Sequence, residues 1–493
     1  MLLASPAEPA SNRKLALLAF AISTYVAVLL LPTPAGLSAS GQVALGLLAL
    51  VVILWISECV SPAASAVLLI AGAVLGLMGK PLQAGGTPMR SAEALTVMLA
   101  GFSSSAVVLV AGALFLAVAL RLTGLDRRVA LLVMSRVGIS PARLTVGAMI
   151  VGFVLALFIP SATARVGAII PIMVGVVTAL GLPVTSSLGA TLMIVTAQAC
   201  SIFNMAVKTG AAQNLISLNF MQSSFGETVT WGQWFVTALP LTLSMSVVLF
   251  FISLLLLRPQ VPPAEEAQGR LATEVAGLGP VTPAEWRLML VAGALLLAWS
   301  TEGWLHPFDT TTVTLVGIAL LLMPRIGVMT WAGAEKQVPW GTIILFAAGI
   351  ALGILLARTG AAAWLANVTL GQLGLGTRSV VAVVGALSLF SILLHLGFAS
   401  ATGLASTLIP IMIAFAQTLP FSAPTIFGIV MIQSFVVSFG FVLPTNAPQN
   451  MLCYGTGAFT TLQFAKVGVV LTVAGLGLIL LLSVTIWPMM GVL

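Results

Sequence analysis

Apolar runs near the ~20 residues needed to cross a hydrocarbon layer recur from one end of this chain to the other. They fall at 15–31, 41–58, 62–79, 96–121, 187–219, 234–257, 286–304, 309–324, 340–358, 424–452 and 463–487. A bilayer interior has no water to satisfy backbone N–H and C=O groups, and helices satisfy their own. The runs therefore predict an all-α polytopic membrane protein with eleven crossings. Composition agrees, because 6% of the 493 residues are charged and 60% are apolar. A water-soluble domain carries about 25% charged residues. A nucleic-acid-binding protein is excluded.

Two further stretches, 141–182 and 378–420, read as apolar helix, short polar break, apolar helix. That pattern suits a re-entrant hairpin that enters and leaves on one side. Two ordinary crossings are the other reading, and counting spans does not separate them. The first run follows Arg13 and Lys14 and exceeds the ~7–15-residue core of a cleaved signal, so it reads as a retained first helix. With the N-terminus cytoplasmic, 13 Lys and Arg lie inside, 4 outside (Lys80, Arg90, Arg358, Arg378) and 2 at membrane depth (Arg165, Lys208). The asymmetry supports this orientation in a bacterial inner membrane, where the net charge of +7 marks topology rather than a partner. Cys59, Cys200 and Cys453 lack metal-ligand spacing and read as packing residues.

The two hairpins repeat each other. Ser161-Ala162-Thr163, with Pro171 and Met173 after it, matches Ser400-Ala401-Thr402, with Pro410 and Met412, without a gap. Thr209-Gly210-Ala211-Ala212-Gln213-Asn214 matches Thr445-Asn446-Ala447-Pro448-Gln449-Asn450, and Trp55 to Glu58 matches Trp299 to Glu302. Three matches in one order indicate a duplication. The expected plan is an N-terminal tail and extra helix (1–40), a first repeat (41–257), a cytoplasmic connector (258–285) and a second repeat (286–493). Each repeat has five crossings and one hairpin, and an odd number of crossings turns the second copy upside down. The loop 121–143 carries five Arg where 358–378 carries two, as an inverted pair requires. Inverted repeats with broken helices are the mark of secondary transporters, whose substrate sits at the midplane.

Ser161 and Ser400 stand where an N-cap belongs. The free amides behind them carry the positive end of the helix dipole, which is an anion site. Two such ends, with the hydroxyls of Thr163 and Thr402, suit the two ends of a dianion. The plainer alternative, Ser and Thr that only cap a turn, is favoured for one copy but not for two matched copies. The breaks at Thr209-Gly210 and Thr445-Asn446 interrupt apolar spans, and unwound backbone is tolerated in a membrane where it lines a cavity. They complete a substrate site or coordinate a cation; for the second, a kink driven by Pro444 and Pro448 has equal weight. Arg165, Lys208 and His395 lie beside the breaks, and an Arg or Lys at a helix centre costs roughly 2.5–3.5 kcal/mol even on a lenient scale. They are read as positive groups that compensate the anion's charge in place of bound Na⁺. The alternatives are snorkelling for Arg165, a structural hydrogen bond for Lys208 and a satisfied core imidazole for His395. Glu58 and Glu302 read as structural. No phosphate loop, zinc spacing or nucleophile triad is present, so an enzyme is not expected.

The paired Ser-x-Thr motifs, each followed by an Ile-Pro-Ile helix, resemble the divalent anion/sodium symporter family of di- and tricarboxylate and sulfate transporters. The stretch from Ala272 to Glu285 is similar to that family's central connector. The resemblance implies a homodimer in which a transport domain moves against a scaffold as an elevator. It also implies substrate contacts at Ser161, Ala162, Thr163, Ser400, Ala401 and Thr402, beside Thr209, Gly210, Thr445 and Asn446. The family's usual Asn, a Na⁺ and substrate contact, is replaced by Ala162 and Ala401. Pro160 to Arg165 resembles instead the citrate/succinate and plastid 2-oxoglutarate/malate exchangers, where Arg follows the motif and Na⁺ is not required. The expected function is Na⁺-independent exchange of a small dianion such as a C4-dicarboxylate, 2-oxoglutarate or citrate. Na⁺-coupled dicarboxylate or sulfate uptake is the alternative, and an anion channel is the alternative of another class. No cofactor or metal site is expected, with Na⁺ open as a coupling ion.

Overall fold

The computed structural model describes residues 12–83, 85–261 and 277–493. Among them all regular structure is helical, with two isolated bridges, Pro81 to Pro88 and Glu302 to His306, and no strands. In chain order the α-helices are α1 (Asn12–Leu30), α2 (Ala39–Ser57), α3 (Pro62–Leu77), α4 (Ser91–Leu99), α5 (Ser105–Thr123), α6 (Leu125–Val137), α7 (Pro141–Ala156), α8 (Ala162–Ala179) and α9 (Ser187–Ala206). There follow α10 (Ala212–Phe225), α11 (Trp231–Leu257), α12 (Pro283–Ser300), α13 (Thr310–Leu322), α14 (Trp331–Glu335), α15 (Trp340–Arg358) and α16 (Ala361–Thr369). The last are α17 (Val380–His395), α18 (Ala401–Ala416), α19 (Ala423–Val436), α20 (Pro448–Tyr454), α21 (Thr461–Val484) and α22 (Ile486–Met489). Eight of the described helices are long and apolar enough to cross a membrane.

The apolar runs and the helices agree at most places, and the exceptions have local causes. The run 96–121, expected as one crossing, is two helices: α4 stops at Leu99, a 3₁₀ turn covers Ala100–Ser103, and α5 starts at Ser105. A Cβ on Gly101 would lie 2.2 Å from the Ala347 carbonyl oxygen, so only a glycine lets the turn sit against α15. The Ser103 hydroxyl donates to the Ala100 carbonyl at 2.9 Å, which favours a turn over a continued helix. The runs 62–79 and 309–324 form helices of 16 and 13 residues. Each is shorter than the bilayer span expected for it. The hairpins expected at 141–182 and 378–420 each form two helices around a break, α7 with α8 and α17 with α18.

The described chain forms two compact units: one runs to Ser104 and adds Trp340–Gly374 and Ser406–Thr418, and the other holds Ser105–Pro339, Leu375–Ala405 and Leu419–Leu493. The first unit packs α1, α2, α3, α4 and α15 around an apolar core that includes Leu47, Leu69 and Leu352. Polar side chains within it bond backbone carbonyls: Gln42 Nε2 donates to the Val28 and Leu31 carbonyls at 2.7 Å each, and Tyr25 Oη to the Gly72 carbonyl at 2.7 Å. The second unit is built on α9, whose residues 188–206 are all buried, with α7, α8 and α11 packed on it. Every candidate residue of the site lies in this second unit.

Of the connector expected at 258–285, residues 262–276 lie outside the described residues, as do residues 1–11 of the tail. The connector's end is fixed by Arg128 of α6, which donates to the carbonyls of Gly279 at 3.1 Å, Leu278 at 3.0 Å and Pro280 at 3.2 Å, and from Nε to Glu285 Oε1 at 2.5 Å. Thr282 and Glu285 also form a capping box that starts α12. Burial pushes the Glu285 carboxyl up, but the Arg128 bond and the Thr282 donors outweigh it and hold it below the usual carboxylate range.

Candidate functional site

Each hairpin opens its second helix in the same way. Ser161 is extended at φ −128° and ψ 112°, and its Oγ accepts from Ala164 N at 3.3 Å. Ser400 Oγ accepts from Gly403 N, also at 3.3 Å. Both are N-cap bonds to the third residue of the helix. Ser161, Thr163, Ser400, Ala401 and Thr402 are partly exposed, while Ala162 is buried. The remaining first-turn amides of α8 and α18 carry the dipole's positive end, so each opening favours negative charge.

The two breaks repeat each other bond for bond. Between α9 and α10 the chain turns through a 3₁₀ segment, Lys208–Gly210, flanked by Val207 at φ −112°, ψ 121° and Ala211 at φ −154°, ψ 144°. Between α19 and α20 the segment is Pro444–Asn446, flanked by Leu443 at φ −117°, ψ 147° and Ala447 at φ −155°, ψ 144°. Asn214 Nδ2 donates to the carbonyls of Asn204 at 2.6 Å and Val207 at 3.0 Å. Asn450 Nδ2 donates to the matching carbonyls, Gly440 at 2.9 Å and Leu443 at 3.5 Å. These amides satisfy carbonyls at the broken helix ends that would otherwise be orphaned. The neighbouring glutamines cross between the copies: Gln213 Nε2 donates to Ser438 Oγ at 3.2 Å, and Gln449 Nε2 to Ser201 Oγ at 3.0 Å. The first hairpin also meets the second break, because α8 packs on α20.

Arg165 ties the first hairpin to the first break. It is fully buried, and Nη1 donates to the carbonyls of Ile159 at 2.6 Å, in the hairpin tip, and Gly210 at 2.7 Å, in the unwound loop. Nη2 donates to the Cys200 carbonyl at 3.0 Å and to Asn204 Oδ1. Among the described residues no carboxylate pairs with it. Its charge is therefore spread over dipoles rather than cancelled, and the field at the tip of α8 stays positive.

The second hairpin is tied to the second break through Asn446 and His395. Asn446 Nδ2 donates to the carbonyls of His395 at 2.9 Å and Leu396 at 3.1 Å, and Asn446 Oδ1 accepts from Leu443 N at 2.9 Å. His395 Nε2 lies 3.3 Å from the Asn446 carbonyl oxygen. Lys208 is placed differently from Arg165: its ammonium donates to Thr310 Oγ1 at 2.9 Å and lies 3.6 Å from Glu302 Oε2. The two break threonines also differ. Thr209 is buried and its Oγ1 accepts from Trp231 Nε1 at 3.3 Å, whereas Thr445 is exposed.

The structure thus groups Ser161, Ala162, Thr163 and Arg165 with Thr209 and Gly210, and His395 with Thr445 and Asn446 beside the Ser400 turn. Gln213, Asn214, Gln449 and Asn450, matched in the sequence as part of the repeat, prove to be the residues that tie the breaks together. Asn204, which accepts from Arg165, is not singled out by the sequence, and its match in the second copy is Gly440. The two break carbonyls suited to a cation, Gly210 and Asn446, face a guanidinium and an imidazole nitrogen. No group of three or more His, Cys, Asp or Glu side chains that could hold a metal occurs among the described residues.

Comparison with known proteins gives this arrangement a family. A membrane protein of Cupriavidus necator is 44% identical over 476 residues, covering 96% of this chain and 92% of that one. The citrate/succinate antiporter of Escherichia coli K12 is 27% identical over 407 residues, covering 81% of each chain. The L-tartrate/succinate antiporter of the same strain is 28% identical over 412 residues, covering 80% of each. The crystal structure of the Alcanivorax borkumensis YdaH transporter, described as having an unusual topology, matches with a TM-score of 0.57 at 16% identity. It covers 88% of this chain and 99% of that one, which establishes likeness of fold. The family model of the sodium:sulfate symporter transmembrane region matches residues 12–493, so the chain belongs to this family of integral membrane transporters.

Proposed function

We propose that this chain is a secondary transporter that exchanges small divalent organic anions, such as C4-dicarboxylates, 2-oxoglutarate or citrate, without Na⁺. The observation that carries the reading is Arg165. Its guanidinium bonds the carbonyls of both the hairpin tip and the unwound loop and has no acid partner among the described residues. A fixed positive charge beside a helix N-terminus does for a dianion what a bound cation would do, and it occupies the Gly210 carbonyl that a cation would use. The antiporters among the relatives support the same choice. In this reading Ser161 and Thr163 hold one end of the anion and Ser400 and Thr402 the other. Ala162 and Ala401 leave room between them, and the loops at Thr209-Gly210 and Thr445-Asn446 close the site.

The wider plan belongs to the proposal too: two inverted repeats with re-entrant hairpins, an elevator motion, a homodimer, and a cytoplasmic N-terminus in a bacterial inner membrane. The matched breaks support the repeat. Reconstituted vesicles test the function directly. Labelled succinate is expected to enter only vesicles loaded with unlabelled succinate, equally in Na⁺ and choline buffers. Entry into empty vesicles driven by a Na⁺ gradient would replace exchange with symport. Flux that never saturates and needs no counter-substrate would mark a channel.

A further inference from the structure

A cavity of about 260 Å³ lies beside the first break, lined by Lys208, Asn219, Gln222, Glu302, Asp309 and Thr310 among others. Its centre is a chain of hydrogen bonds. Lys208 Nζ donates to Thr310 Oγ1 at 2.9 Å, and Thr310 Oγ1 donates to Glu302 Oε2 at 2.7 Å. The same oxygen accepts from Trp231 N at 2.9 Å, and Glu302 Oε1 accepts from Thr310 N at 3.0 Å. Trp231 in turn donates through Nε1 to Thr209 Oγ1 at 3.3 Å. One carboxylate therefore joins the start of α11, the start of α13 and, through Lys208 and Trp231, the unwound loop. Only an ionised carboxylate offers this many acceptor sites beside a cation; a protonated one loses the charge and turns one oxygen into a donor.

The other titratable groups near Glu302 have partners of their own. Asp309 also lines the cavity, but its oxygens already accept from Thr311 N, Thr312 N and the Thr312 hydroxyl in capping α13. His306, whose backbone bridges to Glu302, turns Nε2 to the Ala298 carbonyl at 2.8 Å. The side chains that α5 and α10 bring to the cavity, among them Ser105, Asn219 and Gln222, are uncharged.

We infer that Glu302 is a positioning residue for the first unwound loop: its carboxylate holds Lys208 and Trp231, and through them Thr209 and Gly210. Lys208 then acts through Glu302 rather than by touching the anion. The transport arm of the test rests on the exchange reading, and the stability arm does not. In vesicles, Glu302→Gln is expected to raise the KM for succinate about tenfold with kcat changed less than about twofold. In detergent without substrate, Glu302→Gln is expected to lower the unfolding midpoint, because the amide turns one acceptor into a donor facing Trp231 N and the Lys208 ammonium. A Glu302→Gln midpoint and KM equal to the wild type's would overturn the inference. Lys208→Met with Glu302→Gln is expected to be no worse than either alone, and additive losses would also overturn it. Thr310→Val, which keeps the carboxylate, decides if Glu302→Gln does not fold: a threefold rise in KM, roughly, supports the relay and an unchanged KM refutes it. If the wild type exchanges no succinate, the exchange reading fails while the midpoints still judge Glu302.

Discussion

The two broken helices adopt nearly the same backbone and are held to their hairpins by different chemistry. In both, an Asn amide closes the same pair of carbonyls, Asn214 in one and Asn450 in the other. At the matched positions 210 and 446, however, one copy has Gly and the other Asn. The Asn446 side chain reaches back to the His395 and Leu396 carbonyls. Gly210 has no side chain, and the Arg165 guanidinium reaches its carbonyl instead. The shape of a break is thus a local hydrogen-bond problem solved once and copied. The charge beside it is a separate choice, made in only one copy.

The comparison predicts its own hierarchy. Arg165→Met is expected to have the largest effect. It leaves the Ile159, Gly210 and Cys200 carbonyls and the Asn204 side chain without their donor. The expected loss is about 4 kcal/mol in detergent unfolding and a fall in succinate exchange on the order of 100-fold. A mild phenotype would mean that the charged tie is dispensable and the copies are equivalent after all. Asn214→Ala should cost about 2 kcal/mol and Asn450→Ala slightly less, in keeping with its longer second bond. Unfolding midpoints that separate the two by more than about 2 kcal/mol would break the claim that the breaks share one design.

His395→Leu removes a single 3.3 Å contact to the break, so about 1.5 kcal/mol and a loss of exchange well under that of Arg165→Met are expected. An equal loss of transport would assign His395 the charge-compensating role proposed for Arg165. The smallest change is Gly210→Ala. An added Cβ would lie 3.0 Å from Val207 Cβ and 3.4 Å from the Ala156 carbonyl oxygen. The loop must yield slightly, at about 1 kcal/mol. The Ala156 carbonyl faces position 210 as the His395 carbonyl faces Asn446, so Gly210→Asn should sharpen the comparison by restoring part of the bond made in the second copy.

Much of this was legible in the sequence because broken helices leave polar marks in apolar runs. Ser161, Ser400, Pro444 and the Gln-Asn pairs stand where hydropathy falls, and the helices end within a few residues of those marks. The break at Ala100–Ser103 left a fainter mark, since Gly101 and Phe102 keep the run apolar and the cause is a close approach to Ala347, far along the chain. The site was legible as a set of residues and not as a set of partners. Lys208 and Arg165 looked alike, each a lone cation at membrane depth. What separates them is Glu302, which reaches Lys208 only through the fold. Asn204 looked like one polar residue in a buried helix, yet it accepts from Arg165 through its side chain and from Asn214 through its backbone.

The crossed glutamines carry a mechanical consequence. Gln213 of one repeat bonds Ser438 of the other, and Gln449 bonds Ser201 in return. Neither loop can then be reshaped without tugging on its twin, much as two interlocked hands cannot open one at a time. A substitution that loosens one loop should therefore be felt in the other.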